Sequence, residues 1–172
     1  MSESLPVGTP LDILLVEDNA DHAELVRRFL NDHHMANRIH HVSDGEAALD
    51  YLLRRGRFAD PAHSPRPHLV LLDLRIPKID GLDVLQIVKA SDTLRDIPVV
   101  ILTTSKAEAD VGEAYDHHAN SYLIKPVDFR SFARLMQDLG FYWLMWNHHP
   151  GAEPTARPPN KSVGPSPPAG VG

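Results

Sequence analysis

The sequence predicts an α/β fold in which helices cover both faces of a parallel sheet. Three observations carry that prediction. Short runs at Leu11–Val16, Leu69–Asp73, 97–102 and Ser121–Ile124 are apolar almost throughout, and a fifth, more polar one spans Asn37–Val42. A continuous apolar run, as opposed to an alternating one, reads as a strand buried on both faces, as in a parallel sheet. Helix-period patterns alternate with these runs, the order expected of repeated βα units. Lastly, the strongest run, 69–74, holds a single carboxylate at Asp73, near its carboxyl end. An unpaired acid in an apolar core is costly, and open α/β sheets place their sites at the rim where such an end lies.

Composition bounds the rest. The chain has 172 residues, 42% of them hydrophobic, and a formal net charge of -6. That suits one domain with a full core plus flanking segments. The acidic balance argues against a face for nucleic-acid backbones, so no direct DNA binding is expected. The absence of cysteine removes disulfides, thiol catalysis and Cys-based zinc sites together. The first apolar run is far too short for a signal or membrane segment, which points to a cytoplasmic chain without membrane attachment.

Residues 1–10, with two prolines, read as a flexible N-terminal arm. The first strand ends in Glu17-Asp18, and a helix follows from about Ala20, with Ala23, Val26, Phe29 and Leu30 on one face. Ser43-Asp44-Gly45-Glu46 reads as a capping box that opens the second helix. The stretch 56–67 carries three prolines and reads as a loop without chemistry, leading into the amino end of the third strand. A third helix begins near Gly81, with Leu82, Leu85 and Val88 inward. Ser105 and Glu108 suggest a cap for a fourth helix, which Gly112 weakens, and Asp128 caps the last one. From Pro150 the chain turns to Pro, Gly, Ser and Ala, with seven of its 15 prolines, so 150–172 reads as a disordered Pro-rich tail behind a domain spanning 11–149.

In a parallel sheet the carboxyl ends of the strands share one rim. Glu17, Asp18, Asp73, Thr103 and Lys125 therefore converge from distant parts of the chain. Two like charges about 4 Å apart repel by about 4 kcal/mol at an effective dielectric near 20. Either one acid is protonated or a cation sits among them. With no His or Cys in the set, an all-oxygen site for a hard ion such as Mg²⁺ is favoured. An ammonium and a hydroxyl at the same rim suit a phosphoryl group. The paired histidines (33–34, 40–41, 117–118, 148–149) lack companion cysteines, and adjacent side chains on one element diverge, so they read as surface or capping residues.

Glu17-Asp18, Asp73, Thr103 and Lys125-Pro126, in that order on those strand ends, resemble the receiver domain of bacterial two-component response regulators. The run 102–108, Asn120-Ser121-Tyr122 and the aromatic last helix resemble, more narrowly, the single-domain regulators of phytochrome-type histidine kinases. The resemblance implies a flavodoxin-like (βα)5 three-layer sandwich with five parallel strands in the order 2-1-3-4-5. It implies that Asp73 is the phosphoacceptor for a sensor histidine kinase of bacteriophytochrome type, that the protein is no enzyme beyond its own phosphorylation and dephosphorylation, and that Asp18, Asp73 and the backbone carbonyl of Arg75 bind Mg²⁺, with Glu17 acting through water. Lys125 would pair with the phosphate across a cis bond to Pro126. Thr103 would turn onto the phosphate and Tyr122 inward behind it, altering the face built by the fourth helix, the fifth strand and the last helix. Arg75 departs from the smaller or amide residue usual there. It reads as a solvent-facing side chain, or as a guanidinium that reaches the phosphate and impedes water.

Phe129, Phe132, Met136, Leu139, Trp143 and Trp146 form an a/d stripe along the last helix, and Phe141, Tyr142, Leu144 and Met145 make its end apolar on nearly every side. Such a surface calls for a partner, so homodimerisation through this helix is expected. A membrane-surface role is disfavoured because 135–149 contains no Lys or Arg. Three other functions are weighed. A haloacid-dehalogenase-like phosphatase needs a second Asp where Arg75 stands and has no cap domain here. A flavin carrier needs a phosphate loop where Glu17-Asp18 would repel phosphate. An adaptor that is never phosphorylated would use only the surface of the last helix.

Overall fold

The computed structural model describes residues 10–32, 37–103, 119 and 121–140, without the side chains of 32 and 103. Five parallel strands, β1 (Leu11–Val16), β2 (Asn37–Val42), β3 (Leu69–Asp73), β4 (Val99–Thr103) and β5 (Ser121–Ile124), form one sheet in the order β2-β1-β3-β4-β5. The flavodoxin-like order is the expected one. β4 begins two residues later than its apolar run because Pro98 has no N–H for the ladder; its carbonyl instead accepts from Val70 N at 2.9 Å.

Alternation along the strands splits the core into two layers. Leu14, Val16, Val70, Leu72, Val99 and Ile101 face α2 (Gly45–Leu52) and α3 (Gly81–Ala90). Leu11, Ile13, Leu15, Leu69, Leu71, Val100 and Leu102 face α1 (Ala20–Asp32) and the last helix, Phe129–Asp138. Each such side chain, fully buried, contributes about 1.5–3 kcal/mol. Phe29 of α1 and Phe132 of the last helix meet edge to face at 5.5 Å.

Several local expectations are corrected. The cap of α2 is Asp44, not Ser43: its side chain accepts from Ala47 N. The stretch 56–67 holds a 3₁₀ turn at Gly56–Phe58 and is tied down, with Tyr51 Oη donating to Pro65 O (2.8 Å) and Arg66 to Thr93 O (2.6 Å). The last helix is capped by Asp128 as expected, and its described part ends at Asp138; the expected extension through Trp146 lies outside the described residues. Gly140, at φ 85°, takes the left-handed conformation that ends helices, and its N–H closes on Gln137 O. The expected fourth helix, the N-terminal arm, the Pro-rich tail and the paired histidines 33–34, 117–118 and 148–149 lie outside the described residues, and no helix among the described ones is long and apolar enough to cross a membrane.

Candidate functional site

The rim is built by chain geometry. Glu17 extends β1 by one step, its N–H donating to Val42 O at 3.1 Å while its own carbonyl accepts from His41 Nε2 at 2.7 Å. This turns its carboxylate fully inside, at 0% exposure. The next residues open α1. Asn19 Oδ1 accepts from Asp21 N (2.9 Å) and His22 N (3.1 Å), capping the helix, and Asn19 N donates to Glu17 Oε1 at 3.2 Å. Asp18 is left exposed on the turn between strand and helix.

Asp73 is the last residue of β3. Its two oxygens have different partners: Arg75 N donates to Oδ1 at 2.9 Å, and Lys125 Nζ donates to Oδ2 at 2.9 Å. Lys125, immediately past β5 and joined to Pro126 by a cis bond, also donates to Glu17 Oε2. The carboxylate oxygens of Glu17, Asp18 and Asp73 lie within 4.8 Å of one another. An acid pair from β1, a lone acid on β3 and an ammonium from beyond β5 thus meet at one point.

Residues 13–137 match the response regulator receiver domain family. The chain belongs to that family. It is 48% identical over 147 residues to a probable methanogenesis regulatory protein, FilR2, of Methanothrix harundinacea, covering 86% of this chain and 92% of the relative. It is 39% identical over 135 residues (78% of this chain, 90% of the relative) to the response regulator Rcp1 of Synechocystis sp.. The Mn²⁺-bound structure of Rcp1 superposes with a TM-score of 0.64, covering 78% of this chain and 95% of that one. The bacteriophytochrome response regulator AtBRR superposes with a TM-score of 0.69 at 46% identity, again over 78% and 95%.

In this receiver the donor set fits a hard divalent cation. Three converging carboxylates against one ammonium leave the pocket with surplus negative charge, and every donor is oxygen. Burial pushes the Glu17 carboxyl above its usual range; the Lys125 hydrogen bond offsets this in part, and the Asp73 charge adds to it. Burial acts against the Lys125 ammonium, yet the hydrogen bonds and charges of Glu17 and Asp73 outweigh it and raise its pKa above the ordinary value. Lys125 is therefore a permanent cation, held where negative charge gathers.

The other predicted residues fall as follows. Thr103 closes β4 at the rim, paired in register with Ile124. Tyr122, paired with Ile101, is 37% exposed. Arg75 is exposed on the loop after Asp73. The stripe on the last helix divides. Phe132 and Met136 are buried against the sheet and belong to the core; Leu139 packs partly against the same layer, and Phe129 is 39% exposed. Phe141, Tyr142, Trp143 and Trp146 lie outside the described residues. The sequence reading passed over His22, whose Nδ1 stands 3.2 Å from Lys125 Nζ. The available signal was its spacing: four residues after Asp18, behind an Asn cap, a side chain sits one helical turn along from the acids.

Proposed function

We propose that this receiver takes a phosphoryl group from a sensor histidine kinase on Asp73 in a Mg²⁺-dependent step. The observation that carries the reading is the Lys125–Asp73 hydrogen bond of 2.9 Å inside the acidic cluster. An Asp73 carboxylate oxygen attacks phosphorus, the P–N bond of the phosphohistidine breaks with its electron pair going to the imidazole nitrogen, and an acyl phosphate forms. Asp18, Asp73 and the Arg75 carbonyl would hold Mg²⁺, with Glu17 acting through water, and the ion would supply charge neutralisation. Lys125 follows the transferred group as a charged hydrogen-bond donor. The protein turns over nothing but its own phosphoryl group.

Acetyl phosphate with Mg²⁺, followed by intact-mass measurement, tests this. One phosphoryl adduct is expected on the native chain and none on Asp73→Asn. No adduct on either marks a phosphorylation-independent adaptor, and repeated turnover of added phosphoester marks a phosphatase.

Likeness to Rcp1 and AtBRR supports a kinase of phytochrome type. The 48% identity to FilR2 favours a second reading, a kinase that answers to another input. Transfer time courses from a purified phytochrome kinase and a non-photoreceptor kinase separate the two.

For output, Thr103 turns its hydroxyl onto the phosphate and Tyr122 moves inward. Tyr122 lines a groove between β5 and the last helix with Asp128, Ser131 and Arg134, so its movement reshapes that face. Phe129 and the apolar run 141–146 support homodimerisation beside it. Sedimentation at micromolar concentration is expected to find a dimer that Trp143→Ala weakens; a native monomer defeats the assignment.

A further inference from the structure

Lys125 has three N–H donors and no acceptor, and each donor has a partner: Glu17 Oε2, Asp73 Oδ2 at 2.9 Å and His22 Nδ1 at 3.2 Å. The third partner enters from α1 and belongs to neither the acid cluster nor the phosphoacceptor. Because an ammonium only donates, Nδ1 carries the lone pair and the ring hydrogen sits on Nε2. The same Nδ1 lies 3.8 Å from Glu17 Oε1, beyond hydrogen-bond range, so Lys125 is what orients the ring. The imidazole is anchored through its backbone, since His22 N is capped by Asn19 Oδ1, and Asn19 N is bound to Glu17 Oε1.

We propose that His22 is a positioning residue for phosphoryl acceptance at Asp73, acting through Lys125. When the phosphoryl group arrives, the ammonium exchanges a carboxylate oxygen for a phosphate oxygen. Two of its N–H groups stay held, by Glu17 and His22, and the third swings across. Without an acceptor at the Nδ1 position that second tether goes to water, and the flexible four-carbon stem spends less time aimed at the reacting oxygens. The inference rests on the reading of Asp73 as phosphoacceptor.

The test follows adduct formation on the full chain with acetyl phosphate across a Mg²⁺ titration, in native protein, Asp73→Asn, His22→Ala, His22→Asn and His22→Gln. The Asn side chain places its Oδ1 where Nδ1 stands, whereas the Gln carbonyl lies one atom farther out. At saturating Mg²⁺, His22→Ala and His22→Gln are expected to react about fivefold more slowly, equivalent to about 1 kcal/mol. His22→Asn is expected to recover most of that loss, with the half-saturating Mg²⁺ concentration unchanged in all. Native rates in Ala and Gln, or Asn no faster than Gln, overturn the proposal. So does a defect that disappears at high Mg²⁺, which assigns His22 to the metal. The Asn and Gln variants differ by one methylene and keep the comparison valid if Ala folds poorly. An adduct on Asp73→Asn instead sinks the phosphoacceptor reading, whatever the His22 variants do.

Discussion

Arg38 of β2 closes a two-pronged ion pair on Asp12 of β1, Nε to Oδ1 at 2.9 Å and Nη2 to Oδ2 at 3.0 Å, at the end of the sheet opposite Asp73. Asp12 is 4% exposed, and His40 Nε2 reaches the same Oδ1 at 3.0 Å. Burial alone would raise the Asp12 carboxyl; the His40 and Arg38 hydrogen bonds outweigh it and hold the carboxyl below its ordinary range.

The two partners are expected to respond unequally to removal. Arg38→Ala leaves the buried carboxylate with His40 still on Oδ1 but removes both guanidinium hydrogen bonds, and should cost about 2 kcal/mol. Asp12→Ala leaves a guanidinium whose side chain is already 60% exposed and can hydrate, so it should cost about 1 kcal/mol. Urea denaturation of both variants and of the double mutant measures the asymmetry, and the double mutant should fall short of the sum.

His68 predicts an acid-side loss of stability. Its Nδ1 accepts from Asp12 N at 3.0 Å while its own N–H donates to Asp12 O at 2.8 Å, a link that requires an unprotonated Nδ1. Burial holds its pKa below the ordinary 6.5, with the Asp12 charge acting the other way and Arg38 adding to the depression. A depressed folded pKa means the unfolded chain takes up the proton first. The contribution is therefore complete above about pH 6.5 and is lost as pH falls through the folded value. The urea midpoint should drop more between pH 7.5 and pH 5.5 in the native protein than in His68→Asn, which keeps an acceptor at the Nδ1 position.

Gly45 marks where α2 touches the loop that follows Asp73. A Cβ built there would meet Ile79 O at 2.0 Å, and Gly45 N donates to Pro77 O at 3.2 Å. The obstacle is backbone and cannot rotate away, so Gly45→Ala is expected to cost about 3 kcal/mol in thermal or urea unfolding. It should also slow acetyl-phosphate labelling of Asp73, because the displaced loop starts at that residue.

Removing the site's ammonium should split binding from chemistry. In Lys125→Ala the acid cluster loses the ammonium bound to Glu17 and Asp73, so Mg²⁺ measured by calorimetry should bind at least about fivefold more tightly. Labelling of Asp73 should fall by about a hundredfold, the scale of losing one preorganised donor to developing negative charge. Weaker Mg²⁺ binding in this variant contradicts the charge balance inferred for the pocket.

Much of this protein was legible before any coordinates. Strands buried on both faces must be apolar at nearly every position, so β1, β3 and β4 stood out by composition. A polar residue at such an end can lie only on the rim, which brought Glu17, Asp18, Asp73 and Lys125 together by topology alone. Caps are local, and Asp128 was readable as the cap of the last helix because it stands one residue before it.

The rest depended on distances between segments remote in sequence, which periodicity does not encode. Phe132 and Phe129 carry the same hydrophobic signal, yet one fills the core and the other lies partly exposed, because helix rotation is set by packing against α1 and the sheet. Asp12 reads as an oddity in an apolar run until register places Arg38 opposite it. His22 gains a role only through a lysine 103 residues away. The sequence by itself determined which residues reach the rim, because burial and strand polarity are one-dimensional constraints. Only tertiary structure decided which of them touch, because contact is a property of how separate elements pack.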